Sequence, residues 1–229
     1  DGYGVKIIRS NQDLEEISLG ACMAEELINI DKEISVIICR SAKGEIKNYP
    51  SVEMEFHPEA NQVEYVLSPA GISKKIAKKA EQIAFSVSDA FKHVGLLAVE
   101  LFLTKEGEIL VNEVAPRPHN SGHYTIEGSF TSQFEQHIRA ILDMPLGDTS
   151  NKIAGVMLNL VGKEGYKGPV YYKNIEHILA IEGVNPHIYG KKETRPFRKM
   201  GHITVINKDL KLARKIAEQV KETIEVISK

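Results

Sequence analysis

Two glutamates, Glu100 and Glu113, flank a tight turn in the stretch GLLAVELFLTKEGEILVNEVAPRPHNSGHYTIEG. Glu100 interrupts an apolar run over 96–103, and Asn112 and Glu113 interrupt a second over 109–115. If Glu106-Gly107 is a two-residue hairpin loop, Lys105 pairs with Glu108 and Glu100 falls opposite Glu113. Like charges directly opposite repel, and burying them costs more. A divalent cation resolves both costs, and carboxylate oxygens are what Mg²⁺ prefers, commonly beside a nucleotide phosphate. Two solvated acids on the polar face of a half-exposed sheet satisfy the same spacing. A one-residue slip would send Glu113 to the other face.

The next residues add chemistry. Pro116 and Pro118 bracket Arg117 and fix the local backbone, and His119, Asn120, Ser121, Gly122 and His123 follow. A rigid loop that crowds Arg, His and Asn beside two acids suits a charged small molecule; a structural loop with solvated polar groups is the alternative. A second cluster, Lys191, Lys192, Arg195, Arg198 and Lys199, crowds one loop. It suits a single phosphate, with Arg198 offering a bidentate fork, or else is a solvated basic loop. Glu25, Glu26 and Glu33 stand at the ends of apolar segments, either as solvated edge charges or as acceptors for a nucleotide's amine and hydroxyls. Asp1-Gly2-Tyr3-Gly4 is a glycine-containing loop of the kind that can approach phosphates, although an ordinary turn explains it as well.

The elements that must carry these residues are mixed. Strands are expected over 5–8, 22–30, 33–40, 45–49, 51–57 and 63–67, with His57 and Pro58 at the end of one. The clearest helix spans 72–91, where Ile72, Ile76, Ala80, Ile83, Val87 and Ala90 recur at helical spacing between solvated lysines. Shorter helices are expected over 12–19, capped by Asn11, over 129–142 with a Phe134, Ile138, Ile141 stripe, and near 175–180. Beyond 146–152, the best boundary, strands at 154–161, 186–189 and 202–206 precede a final helix over 210–227.

Composition excludes several classes. The 229 residues are 42% apolar and 26% charged, with 29 basic against 31 acidic residues and a net charge of -2. Neither a basic excess for nucleic acid nor a membrane-length apolar run appears. Cys22 and Cys39 read as small buried residues in a reducing compartment, so a cytoplasmic setting is expected.

The quoted stretches resemble the ATP-grasp superfamily and, within it, the 5-(carboxyamino)imidazole ribonucleotide synthase family. DGYG, AEEL with Glu33, VELF to VNE, APRPHNSGHYTIEG with SQFEQHIRAI, and HIYGK with RKMGHIT carry the resemblance over almost the whole chain. The sister formate-using family shares the acid pair and PRPH but is not expected to continue NSGH. The resemblance implies an α+β ATP-grasp fold with a small C-terminal α/β domain: a partial lid over 1–30, the core over 31–148 and the C-terminal domain over 149–229. It implies a carbon–nitrogen ligase that uses ATP and bicarbonate to carboxylate 5-aminoimidazole ribonucleotide through carboxyphosphate, in purine biosynthesis, as a homodimer. Glu100 and Glu113 would hold Mg²⁺ with Asn112 beside them. Glu25, Glu26, Leu27 and Ile28 would read adenine, Glu33 the ribose, His57 would contact nucleotide, and Asp1, Gly2, Tyr3 and Gly4 would cover phosphates. Arg117, His119 and Asn120 would face bicarbonate and the aminoimidazole, and Lys191 and Arg198 the 5′-phosphate. The family's N-terminal Rossmann-like domain and the first half of its lid are not in this sequence, so the isolated chain is expected to be nearly inactive. A formate-type ATP-grasp ligase and a nucleotide-binding module without turnover are the competing functions.

Overall fold

Runs of β-branched and apolar residues, Ile30–Arg40 and Gly95–Thr104, are buried on both faces and form adjacent interior strands of a nine-stranded sheet. The computed structural model describes residues 6–15, 20–57 and 62–229. In chain order the elements are α1 (Asn11–Glu15), β1 (Ile30–Arg40), β2 (Ile46–Asn48), β3 (Val52–Phe56), β4 (Val63–Ser68), α2 (Lys74–Phe91), β5 (Gly95–Thr104) and β6 (Ile109–Ala115). A 3-10 turn (Asn120–Gly122), α3 (Thr125–Gly128), α4 (Gln133–Ile141), β7 (Ala154–Val161), β8 (Gly168–Lys173) and α5 (Ile175–Leu179) follow. The chain ends with β9 (Val184–Ile188), β10 (Glu193–Thr194), β11 (Lys199–Asn207), α6 (Leu210–Thr223) and β12 (Glu225–Ser228).

The large sheet runs β6-β5-β1-β3-β4-β7-β11-β9, with β2 on β1, and its described pairings are antiparallel. β4 pairs with β7, so the segment 146–152 joins two halves of the chain without interrupting the sheet. One face is covered by α2 over β1 and β5 and by α6 over β7 and β11, each with its own apolar cluster. Ser73 and Asp209 cap these helices by accepting from the amides of Ile76 and Lys211. The other face carries Glu33, Ser35 and Glu100, and is overlaid by α3, α4 and the loop between β6 and α4.

Several expectations change. Residues 6–9 and 22–29 form no strand; Met23 and Leu27 are exposed, and an apolar run without a partner strand cannot satisfy its backbone as a sheet does. Cys22 is therefore exposed, and only Cys39 is buried. The last helix stops at Thr223, and the residues after it pair as β12 with β8 in a small three-stranded sheet that also holds β10. The stripe Phe134, Ile138, Ile141 faces outward, while α4 buries Gln133, Gln136 and Ala140. Each glutamine clamps a loop: Gln136 bonds both the amide and the carbonyl of Gly147, at 2.8 and 3.1 Å.

Candidate active site

The hairpin that carries the acids differs from a plain two-residue turn in two compensating ways. Its loop has three residues, 105–107: the amide of Gly107 bonds the Thr104 carbonyl, and Gly107 takes φ 82. That change alone would set Asn112 opposite Glu100. A β-bulge restores the facing, because Val99 pairs with Val114 while Leu101 pairs with Val111, leaving Asn112 and Glu113 together opposite Glu100. Ligand atoms of Glu100, Glu113 and His119 consequently lie within 4.8 Å of one another. Glu100 is buried, whereas Glu113, on the edge strand β6, is exposed rather than buried as its surroundings in sequence suggest. Burial, then the charges of Glu113 and Glu33, raise the Glu100 pKa to about 7. Two hard oxygen donors that repel each other until a cation joins them fit a divalent ion such as Mg²⁺.

The PRPHNSGH loop folds back over the sheet. Gly122 permits this approach, because a Cβ there would sit 2.4 Å from both the Gln133 amide oxygen and Ile37 Cδ1. His119 is held by Gln133, whose oxygen accepts from the His119 amide at 2.9 Å and whose nitrogen donates to the His119 carbonyl at 2.8 Å. Burial, reinforced by Arg117 and Lys199, lowers the His119 pKa to about 4. Its 3.4 Å approach to Glu100 is thus that of a neutral ring and not an ion pair. Arg117 is exposed, with one guanidinium nitrogen on the Pro118 carbonyl. Asn120 keeps a buried amide nitrogen with no hydrogen-bond partner among the described residues, a donor available to a ligand.

Lys199 is the residue that motif reading left in the basic cluster. A second bulge, where Lys199 pairs with Val161 and Gly201 with Leu160, turns Met200 into the core under α6 and leaves Lys199 toward Glu100. Burial lowers its pKa, while Glu100 opposes that shift and Arg117 and Lys191 add to it. Lys199 therefore joins the acid site to the basic loop. The spacing Met200, Ile203, Val205, three and then two, was the available signal, since a strand without a bulge keeps a period of two. Lys191 donates to the Lys199 carbonyl and lies over the Tyr189 ring, and its pKa is lowered by burial and by the charge of Arg198.

The remaining expected groups are placed as follows. Glu33 shares the face of Glu100, and burial raises its pKa to about 7. Glu25, Glu26 and Leu27 lie exposed in the irregular segment before β1, and Ile28 is half-buried. His57 packs against Phe197 at a cavity of about 340 Å³ lined also by residues of β4, β7, α6 and β12, and is not among the residues that converge with Glu100 and Glu113. Asp1, Gly2, Tyr3 and Gly4 lie outside the described residues.

A model of the ATP-grasp domain matches residues 1–134, and one of the phosphoribosylaminoimidazole carboxylase C-terminal domain matches 155–216. N5-carboxyaminoimidazole ribonucleotide synthase of Bacillus subtilis (strain 168) is 43% identical over 209 residues, which is 89% of this chain and 53% of the relative. The crystal structure of N5-carboxyaminoimidazole ribonucleotide synthetase from Thermotoga maritima is 50% identical with a TM-score of 0.89, over 98% of this chain and 60% of that one. The Aspergillus clavatus N5-carboxyaminoimidazole synthase in complex with ADP and 5-aminoimidazole ribonucleotide is 33% identical with a TM-score of 0.78, over 86% and 52%. The chain spans about half the length of most of the curated relatives it matches.

Proposed function

Because the chain belongs to the ATP-grasp family, and within it to the N5-carboxyaminoimidazole ribonucleotide synthases, we propose that it carries the metal-holding and acceptor side of one reaction. That reaction is the ATP- and bicarbonate-dependent carboxylation of 5-aminoimidazole ribonucleotide. The observation that carries this reading is the convergence of Glu100, Glu113 and His119 within 4.8 Å, beside Lys199 and the basic loop.

In the proposed chemistry a bicarbonate oxygen attacks the γ-phosphorus of ATP and ADP leaves. The carboxyl carbon of the resulting carboxyphosphate, or of CO₂ released from it, is then taken by the exocyclic amine. The amine loses a proton, and phosphate departs. Mg²⁺ held by Glu100 and Glu113, with Asn112 beside them, would neutralise charge on the ATP phosphates. Arg117 and the Asn120 amide nitrogen supply donors to bicarbonate and to the developing negative charge. Lys199, set between Glu100 and Lys191, balances charge where the two substrates meet. Lys191 and Arg198 grip the ribonucleotide's 5′-phosphate. The Arg198 guanidinium is anchored by one nitrogen on the Glu193 carbonyl at 2.8 Å, which leaves further donors for an anion. Glu33, on the acid face, and the segment 25–28 receive the ribose and adenine, and His57 and residues 1–4 complete the nucleotide site.

We also propose a cytoplasmic homodimer. The outward stripe of Phe134, Ile138 and Ile141 offers apolar surface of the kind such a contact buries. Among the described residues no helix is long and apolar enough to cross a membrane.

Glu113→Gln in the full-length enzyme tests the reading. It keeps the shape but removes one of the two cation-binding charges, and ADP release dependent on bicarbonate and aminoimidazole ribonucleotide should fall by about 100-fold or more. Turnover within threefold of wild type would sink the mechanism.

A further inference from the structure

Three groups meet at the acid site, and each could in principle offer a cation a lone pair. The hydrogen bonds behind His119 remove one of them. The Ser121 backbone N–H, which can only donate, reaches His119 Nδ1 at 3.4 Å, so that nitrogen carries a lone pair. The Ser121 hydroxyl lies 2.9 Å from the same atom and donates to it as well. Its oxygen then accepts from the Ser35 hydroxyl, 2.9 Å away. With Nδ1 accepting, the neutral imidazole bears its proton on Nε2, the nitrogen 3.4 Å from Glu100 Oε1.

We infer that Ser35 and Ser121 form a buried donor relay that holds His119 as the Nε2–H tautomer, so that His119 turns a proton toward Glu100 instead of ligating the cation. Ser35 is the β1 residue directly opposite Glu100 on β5, so the relay leaves the sheet at one strand and returns at the next. Both serines are 1% exposed, which leaves water no place to replace either hydroxyl. The Nε2–H then faces Glu100 Oε1 at 3.4 Å and has no lone pair for a metal. The site then presents carboxylate oxygens alone, which favours Mg²⁺ over Zn²⁺. Ser35 and Ser121 are positioning residues acting through His119. The functional role of this relay rests on the assignment of Glu100 and Glu113 as the metal-holding pair; the tautomer itself does not.

Long-range ¹H–¹⁵N correlation of the His119 ring in the labelled chain, without substrate, reads the tautomer apart from the carboxylation reaction. A bare Nδ1 and protonated Nε2 are expected; a proton on Nδ1 overturns the inference. Ser121→Ala and Ser35→Ala should populate the other tautomer, whereas Ser121→Thr, which keeps the hydroxyl, should not; an unchanged ring in both alanine variants overturns the relay. In the full-length enzyme Ser121→Ala should lower kcat by about tenfold with little change in the KM for ATP, and Ser121→Thr should restore it. An equal loss in the threonine variant argues against the relay. Adding Zn²⁺ alone should leave the His119 Nε2 proton in place, and its displacement would show that the ring ligates.

Discussion

Gln133→Met removes three hydrogen bonds at nearly constant volume. Gln133 is 0% exposed, and its amide serves the His119 N–H, the His119 carbonyl and His123 Nδ1 at 2.9, 2.8 and 2.9 Å. Methionine fills the space but leaves the His119 N–H buried without its partner, while the His119 carbonyl keeps only the Gly122 N–H, at 3.0 Å. A stranded buried N–H costs about 1–3 kcal/mol, so the variant should lose about that much stability. Urea unfolding of the chain reads this as a lower midpoint at an unchanged slope. Gln136→Met is the control, because Gln136 bonds the amide and carbonyl of Gly147 in the same bidentate way, away from the acids. Both variants should be destabilised by similar amounts. Only Gln133→Met should also slow turnover of the full-length enzyme at a temperature where it stays folded, because a displaced His119 misplaces Glu100. A stability change below about 0.5 kcal/mol for Gln133→Met would refute the clamp, and equal catalytic losses in both variants would refute its link to the site.

Gly122→Ala should act on the same loop from the other side, since its Cβ meets Gln133 and Ile37 at 2.4 Å; overpacking of about 1–3 kcal/mol is expected in thermal or urea unfolding. Arg198→Ala should raise the KM for aminoimidazole ribonucleotide by about 10- to 100-fold, with the KM for ATP nearly unchanged, as loss of a charge-assisted phosphate contact does. The column His123, His202, His187, with ring centroids 4.6 and 4.4 Å apart, makes stability depend on pH. Burial, with the neighbouring histidines, lowers His123 to about 4 and His202 to about 3 from the ordinary 6.5. These rings charge more readily unfolded, so their stabilisation is present above pH 6.5 and is lost as pH falls from there toward 3. Between pH 7.5 and 5 each ring should remove on the order of 1–2 kcal/mol, which unfolding midpoints at the two pH values will read.

Much of the site was legible because charged residues in apolar runs have few explanations. Glu100 and Glu113 stood out as acids in strands, and the proline-locked RPHNSGH segment stood out as a rigid polar loop. The family-specific motifs extended that reading to an ATP-grasp chain, and a model of the ATP-grasp domain matches residues 1–134. The long helix, expected over 72–91 and formed over 74–91, and the strands β1 and β7 followed from patterning, a local property of side chains.

Register was not local. The turn gained a residue and the bulge at Asn112 and Glu113 gave it back, so the acids face each other by a route the spacing did not indicate. Lys199 reached the site only because a second bulge reversed the alternation of β11 and put Met200 into the core. The apolar stripe of α4 read from the sequence is Phe134, Ile138 and Ile141, yet Gln133 and Gln136 lie on its buried face, because the loops they clamp lie against the helix only in the folded chain. Ser35 carried no motif at all; it matters because β1 pairs with β5 in the register that sets it opposite Glu100. The sequence by itself determined which residues could hold a cation and an anion. The tertiary structure decided which of them meet, because facing across strands depends on pairings between distant segments that no single stretch encodes.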